Sequence, residues 1–118
     1  MADVCFAPAS ARDFLELDHS VQLQVRSALA RVQADPYQYG DPLGKRAGIN
    51  LFGRYSIRAG HRMRVIYAVP KAEVIIVTIG KREQFTVHQT ARARIEVLRD
   101  LTAGELPTLA KVLEAADS

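Results

Sequence analysis

The feature that most constrains the fold is a change in hydrophobic periodicity near residue 49. Before that point, apolar residues recur at the spacing of one helix face: Val21, Val25, Leu29 and Val32. From Ile49 onward, apolar and polar residues alternate, as they do in strands. A helical segment followed by a sheet segment is typical of the α+β class. We therefore predict an N-terminal helical hairpin packed on an antiparallel sheet, with additional C-terminal helices.

Two helices are predicted before the sheet. Ser10 is a candidate N-cap for the first helix, whose apolar side includes Phe14 and Leu17. The second helix is predicted to end before Asp35 and Pro36, because the residue that precedes a proline disfavours helical backbone. Residues 36–48 contain two prolines and three glycines and are predicted to form a loop.

Four strands are predicted, at 4–7, 49–58, 63–69 and 73–80. The last three are joined by short connections, so we expect antiparallel neighbours. Alternation places Arg54, Ser56 and Arg58 on one face of their strand. The strand at 73–80 is apolar at consecutive positions, which favours a central strand that is covered on both sides.

The C-terminal part is predicted to be helical. Thr90 is a candidate cap for one helix, and Pro107 suits the first turn of another. A length of 118 residues fits one domain. We expect a single domain over residues 1–118, with a helical extension over about 89–118.

Composition excludes several classes of protein. The longest apolar run, residues 74–79, is too short to cross a bilayer and no secretion signal is visible, so we expect a cytoplasmic protein without a membrane partner. Cys5 is the only cysteine, which excludes an intrachain disulfide and a cysteine cage for a metal. The three histidines, His19, His61 and His88, do not have metal-ligand spacing. We expect no metal and no small-molecule cofactor.

Positive charge is concentrated in the sheet segment. The 40 residues from Leu43 to Arg82 contain nine Lys or Arg and one acid, a charge of +8, whereas the remaining residues carry −5. A field of this kind attracts phosphate backbones or an acidic protein segment. The partner is therefore expected to be anionic and extended.

Arginine combined with histidine can cleave RNA without a metal, because a 2′-OH attacks the neighbouring phosphorus once a base removes its proton. His88 is a candidate general base or acid, and Arg64 and Arg82 are candidates for clamping the phosphate. Flanking contacts to RNA would come from the rest of the segment: Arg54, Ser56, Arg58, Lys81, Lys45 and Arg46. From position alone, a histidine beyond a strand more often packs or faces solvent, and outward strand arginines are usually solubilising.

Two runs, residues 53–67 (GRYSIRAGHRMRVIY) and residues 74–82 (VIIVTIGKR), resemble the RelE/ParE superfamily of bacterial toxins from toxin–antitoxin pairs. The family pattern is "lRvG.yRviY" followed by "v.v..ighR", and the likeness covers roughly Val4 to His88. It implies a helical hairpin followed by an antiparallel sheet. It also implies one of two activities, since RelE-like members cut messenger RNA, usually in the ribosomal A site, and ParE-like members poison DNA gyrase.

The matched positions favour the RelE-like branch. The basic and catalytic positions of RelE-like nucleases fall on Arg54, Arg58, Arg64, Arg82 and His88. Ser56 occupies a position where well-known ribosome-dependent members have a second lysine. The resemblance implies an mRNA endoribonuclease and an acidic antitoxin that covers the basic surface. Two alternatives remain, a gyrase inhibitor and a non-catalytic homologue that only binds its antitoxin.

Overall fold

The computed structural model describes residues 2–43, 45–46, 49–50, 54–70, 73–81, 90–91, 94 and 106–117. For residues 45–46 and 49–50 it describes the backbone alone. Three helices are described, α1 (Pro8–Leu15), α2 (His19–Ala34) and α3 (Leu109–Ala116), and residues 90, 91 and 94 are also helical. The strands are β1 (Asp3–Phe6), β2 (Asp41–Pro42), β3 (Lys45–Arg46), β4 (Ile49–Asn50), β5 (Arg54–Ala59), β6 (Met63–Ala68) and β7 (Glu73–Lys81).

The main sheet has five strands in the order β1-β7-β6-β5-β2, which confirms the predicted α+β class. Consecutive strands β5, β6 and β7 are antiparallel neighbours, as their short connections predict. β1 pairs parallel with β7, so the sheet is mixed rather than wholly antiparallel. β7 is an interior strand, and β6 occupies the middle of the sheet.

The predicted strand over residues 49–58 corresponds to two described strands. β4 pairs with β3 in a separate two-stranded sheet, whereas β5 belongs to the main sheet. The other predicted strands agree with β1, β6 and β7 to within one residue at each end. Alternating hydrophobicity therefore located the main strands well.

The start of α1 differs from the prediction. The helix begins at Pro8 with Ala7 as its N-cap, because a proline at the first helical position has the required φ and lacks only an N–H that would be unpaired there. Ser10 thus lies inside the first turn and is not the N-cap. Its fully buried Oγ lies 2.8 Å from the Ala7 carbonyl oxygen and 2.7 Å from that of Ile76, which ties α1 to β7.

The other helix ends follow local sequence signals. α2 ends at Ala34, before Asp35 and Pro36 as predicted. α3 begins after Thr108, whose Oγ1 accepts a hydrogen bond of 3.3 Å from the Lys111 backbone N–H. Pro107 therefore precedes this helix instead of lying in its first turn.

The core lies on both faces of the sheet. On one face α1, α2 and α3 bury a large apolar cluster whose fully buried members include Phe6, Phe14, Val25, Leu29, Val65, Tyr67 and Ile76. On the other face a smaller cluster contains Leu43, Ile66, Val77 and Ala91. Residues of the C-terminal extension thus help to close the core, since Ala91 belongs to the second cluster and Val112 to the first.

Candidate nucleic-acid interface

Two arginines lie directly opposite each other on neighbouring strands. Arg58 of β5 and Arg64 of β6 are register partners, so their Cα atoms are about 5 Å apart and their side chains leave the same face of the sheet. Arg58 is exposed and Arg64 is half-buried. Like charges at such a position destabilise the pair, and a bound anion would relieve the repulsion. We name these two residues the arginine pair.

Ser56 is hydrogen-bonded to Arg64, one member of the arginine pair. Its hydroxyl oxygen accepts a hydrogen bond of 2.9 Å from Nη1 of Arg64. Ser56 is 0% exposed, so a direct contact between its hydroxyl and a phosphate is not available in this structure. The geometry gives this residue the role of orienting Arg64, in place of the phosphate contact expected from the sequence.

A third arginine reaches the backbone of β5 from the helix-covered side of the sheet. Nη2 of Arg31, on α2, donates a hydrogen bond of 3.3 Å to the backbone carbonyl of Arg58. This contact of Arg31 could not be predicted from the sequence, because it depends on how α2 packs against β5. The only sequence signal of Arg31 is that it lies off the apolar side of α2, a property it shares with many solvated residues.

The strand register also sets the limits of the sheet face that carries Arg58 and Arg64, which we call the basic face. Arg54, at the start of β5, shares a face with Ser56 and Arg58 by alternation. On the neighbouring strand β2, Asp41 is the register partner of Ser56. A carboxylate therefore borders the basic face on the side of β2.

Lys81 lies on the opposite face of the sheet. In β7, Gly80 is the partner of Arg64, and Lys81 is the partner of Met63, which belongs to the helix-covered core. The cause is a register shift between Ile66 and Tyr67, which gives β7 one extra residue and reverses the faces of the residues that follow. The predicted grouping of Lys81 with the strand arginines is therefore wrong.

Lys81 instead lines a cleft of about 410 Å³ beside α1. The lining combines apolar side chains with three carboxylates, and its residues are Asp13, Glu16, Leu17, Asp18, Val21, Met63, Ile79, Gly80 and Lys81. Asp13 is ion-paired with Arg94, and the other two carboxylates still outnumber Lys81 in the lining, so this cleft does not favour a polyanion. The basic face and the acidic cleft thus lie on opposite sides of the sheet.

Four predicted site residues cannot be placed by their side chains. Arg82 and His88 lie outside the described residues, and for Lys45 and Arg46 the structure describes the backbone alone. Within the described part of the chain, no three His, Cys, Asp or Glu side chains are grouped so that they could hold a metal ion. None of the helices described is long and apolar enough to cross a membrane.

Neither a protein-family model nor a curated relative matches the sequence. Several solved structures are similar to this chain. A mutant of the E. coli toxin RelE in the free state is 25% identical, with a TM-score of 0.59 over 86% of this chain and 100% of that chain. The E. coli RelBE toxin–antitoxin complex gives 22% identity and a TM-score of 0.56 over 71% and 100%. A YoeB dimer from Staphylococcus aureus gives 22% identity and 0.54 over 70% and 98%.

These likenesses agree with the architecture described above. They span nearly the whole of each toxin, and all of them superpose on the helices and the five-stranded sheet of this chain with TM-scores above 0.5. The resemblance read from residues 53–67 and 74–82 is thereby confirmed at the level of the fold. The chain therefore has the fold of the RelE and YoeB toxins, and its likeness to RelE supports a toxin of the RelE/ParE superfamily.

Proposed function

We propose that this protein is the toxin of a type II toxin–antitoxin pair and a metal-independent endoribonuclease that cuts messenger RNA on translating ribosomes. The observation that carries the proposal is the arginine pair, which places two cations opposite each other on a sheet face. The likeness to RelE supports the toxin assignment. The nuclease activity is the further step that the arginine pair supports.

The arginine pair suits the charge that develops during RNA cleavage. When a 2′-oxygen bonds to phosphorus, negative charge grows on the non-bridging oxygens of the phosphorane. Guanidinium groups bind such oxygens through two parallel N–H donors. Because Ser56 orients Arg64, less side-chain freedom is lost when the phosphate binds.

The remaining chemistry is assigned to Arg82 and His88 on the basis of the family resemblance. A base removes the proton of the 2′-OH, the 2′-oxygen forms a bond to phosphorus, and the bond from phosphorus to the 5′-oxygen breaks. An acid then protonates the leaving 5′-oxygen, so the products are a 2′,3′-cyclic phosphate and a 5′-hydroxyl. His88 serves as one of these two groups, because an imidazole titrates near physiological pH.

An antitoxin is the proposed protein partner. The related RelE toxin has been solved in the RelBE toxin–antitoxin complex. We propose that an acidic segment of the antitoxin covers the face that carries Arg58 and Arg64, so that it excludes RNA sterically and electrostatically. The complex should then weaken with added salt and with Arg64→Glu. Insensitivity to both would contradict the shared surface.

The test of the nuclease activity is induced expression in bacteria with mapping of messenger RNA 5′ ends within minutes. Wild type should produce new ends inside reading frames, and Arg64→Ala and His88→Ala should lose them. Arg62→Ala is the matched control, because Arg62 is an exposed arginine in the turn between β5 and β6. Growth arrest without cuts would indicate a gyrase inhibitor instead, and no arrest would indicate a homologue that only binds its antitoxin.

A further inference from the structure

The edge of β7 that pairs with β1 has no strand partner among the described residues after Ile76. β1 pairs with β7 from Glu73 to Ile76, and the Ala7 backbone N–H then donates a hydrogen bond of 2.8 Å to the Ile76 carbonyl as the chain turns into α1. Within the described residues, no strand continues along this edge beyond Ile76. The later backbone groups of β7 on that side therefore need other partners.

Two side chains supply those partners. Oδ2 of Asp13, on α1, accepts a hydrogen bond of 3.2 Å from the Ile79 backbone N–H. Nη1 of Arg94 lies 3.3 Å from the Val77 carbonyl oxygen and 2.8 Å from Oγ1 of Thr78. The acceptor and the donor of a neighbouring strand are thus replaced by one carboxylate and one guanidinium.

The same two side chains bind each other. Arg94 forms two hydrogen bonds with Asp13, one from Nη2 to Oδ1 at 3.1 Å and one from Nη1 to Oδ2, which also makes an ion pair. Both side chains are about four-fifths buried, with relative exposures of 22% and 21%. We name this arrangement the Asp13–Arg94 clamp. It connects α1, β7 and the C-terminal extension at one point.

The clamp lies next to the part of β7 that pairs with Arg64. Ile79 is followed by Gly80, the register partner of Arg64, and Arg82 lies three residues after Ile79 in the chain. A backbone that is held at Ile79 fixes the end of β7 against the strand that carries Arg64. Among the described residues, the pairing with β6 and the burial of the Ile79 side chain are the other interactions that hold this end.

We propose that Asp13 and Arg94 are positioning residues for the cleavage reaction, holding the Ile79 end of β7 in register with β6, the strand that carries Arg64. This inference rests on the proposed nuclease function. Neither residue contacts RNA in this scheme, and the effect is transmitted through the β7 backbone. A misplacement of about 1 Å in a catalytic group costs up to about 10²-fold in rate.

The test measures single-turnover cleavage of a defined messenger RNA in programmed ribosomes, with the full-length protein at increasing concentrations. Asp13→Ala and Arg94→Ala should lower the maximal rate by about 10- to 100-fold, while the half-saturating concentration changes by less than about threefold. Asp13→Asn should recover much of the rate, because its side-chain carbonyl still accepts from Ile79. A variant that is only less stable would instead have a lower melting temperature and a smaller active fraction. Its active molecules would cleave at the wild-type maximal rate.

Arg26→Ala is the matched control. Nη2 of Arg26, on α2, forms an ion pair of 2.6 Å with Asp117 at the end of α3, so it also fastens the C-terminal segment, but to α2 instead of β7. Its maximal rate should equal that of the wild type. A wild-type rate in folded Asp13→Ala and Arg94→Ala would overturn the positioning role and leave the nuclease intact.

A second comparison applies if Asp13→Ala does not fold. Arg94→Lys keeps one positive charge but loses the forked geometry, so its maximal rate should lie between those of Arg94→Ala and the wild type. Equal rates for all three proteins would contradict the clamp. An absence of cleavage by the wild-type protein would overturn the proposed function itself, and the positioning role with it.

Discussion

Ser56 and Arg64 form a diagonal pair across β5 and β6, because Ser56 faces Ile66 in the register and Arg64 lies two residues before Ile66. Side chains at diagonal positions on one face are within reach of each other, and Nη1 of Arg64 donates a hydrogen bond of 2.9 Å to Oγ of Ser56. The hydroxyl is fully buried. A short, buried acceptor thus fixes the guanidinium of Arg64 on the face that also carries Arg58.

Removing this hydroxyl should slow cleavage without unfolding the protein. Ser56→Ala deletes the acceptor, and a loss of about 1.4 kcal/mol in the orientation of Arg64 corresponds to about tenfold in rate. Single-turnover cleavage measures the rate, and thermal unfolding measures the stability. Ser27→Ala, at an exposed position on α2, is the control and should change neither. An unchanged rate in Ser56→Ala would show that Arg64 does not need this hydrogen bond.

The exposed member of the arginine pair should contribute to the salt dependence of RNA binding. Arg58→Ala removes one phosphate contact, which should reduce the slope of log affinity against log salt by about 0.7 for single-stranded RNA. A 2′-O-methylated oligonucleotide is suitable, because it binds but cannot be cut at the 2′-oxygen. Arg62→Ala, in the neighbouring turn, should keep the wild-type slope. Equal slopes for Arg58→Ala and the wild type would place the RNA elsewhere.

Local periodicity predicted most of the secondary structure. The apolar stripe and Pro36 predicted α2 and its C-terminal end, and β6 and β7 follow from runs of β-branched and aromatic residues between short turns. These features depend on neighbours in the sequence. The parallel pairing of β1 with β7 depends on residues about 70 positions apart, and no local pattern contains it.

The face occupied by Lys81 shows why the site was harder to predict. Alternation along an unbroken β7 would place Lys81 on the same face as Arg64. The extra residue at Val77 reverses that result, and a run of β-branched residues gives no local sign of a bulge. By contrast, β5 and β6 pair without a shift, so alternation placed Arg54, Ser56 and Arg58 correctly on one face.

Alkaline pH should destabilise the fold through Tyr67. Burial, followed by the nearby Tyr55, Asp41 and Asp35, raises the pKa of Tyr67 from 10.0 to about 12. A raised folded-state pKa contributes stability that is complete below pH 10 and is lost as the pH rises toward 12, because the unfolded state releases the proton first. Chemical unfolding at a series of pH values should show this decline.

The matched variant for this prediction is Tyr67→Phe. It removes the titrating group together with the hydrogen bond of 2.6 Å that the hydroxyl donates to the Pro36 carbonyl. We expect a loss of about 1 kcal/mol at pH 7 and a smaller further loss between pH 10 and 12 than in the wild type. The same alkaline decline in both proteins would assign it to other groups.

Gly40 should be intolerant of a side chain because of the same tyrosine. A Cβ atom at residue 40 would overlap the Tyr67 hydroxyl oxygen and approach the ring carbon that carries it to 2.7 Å. Both residues are buried, so Gly40→Ala should destabilise the protein by about 1–3 kcal/mol, measured by chemical unfolding. In a double-mutant cycle with Tyr67→Phe, the cost of Gly40→Ala should fall, because the closest overlapping atom is gone while the ring contact stays. Strict additivity of the two changes would mean that the loop at residue 40 moves away from Tyr67 instead of pressing on it.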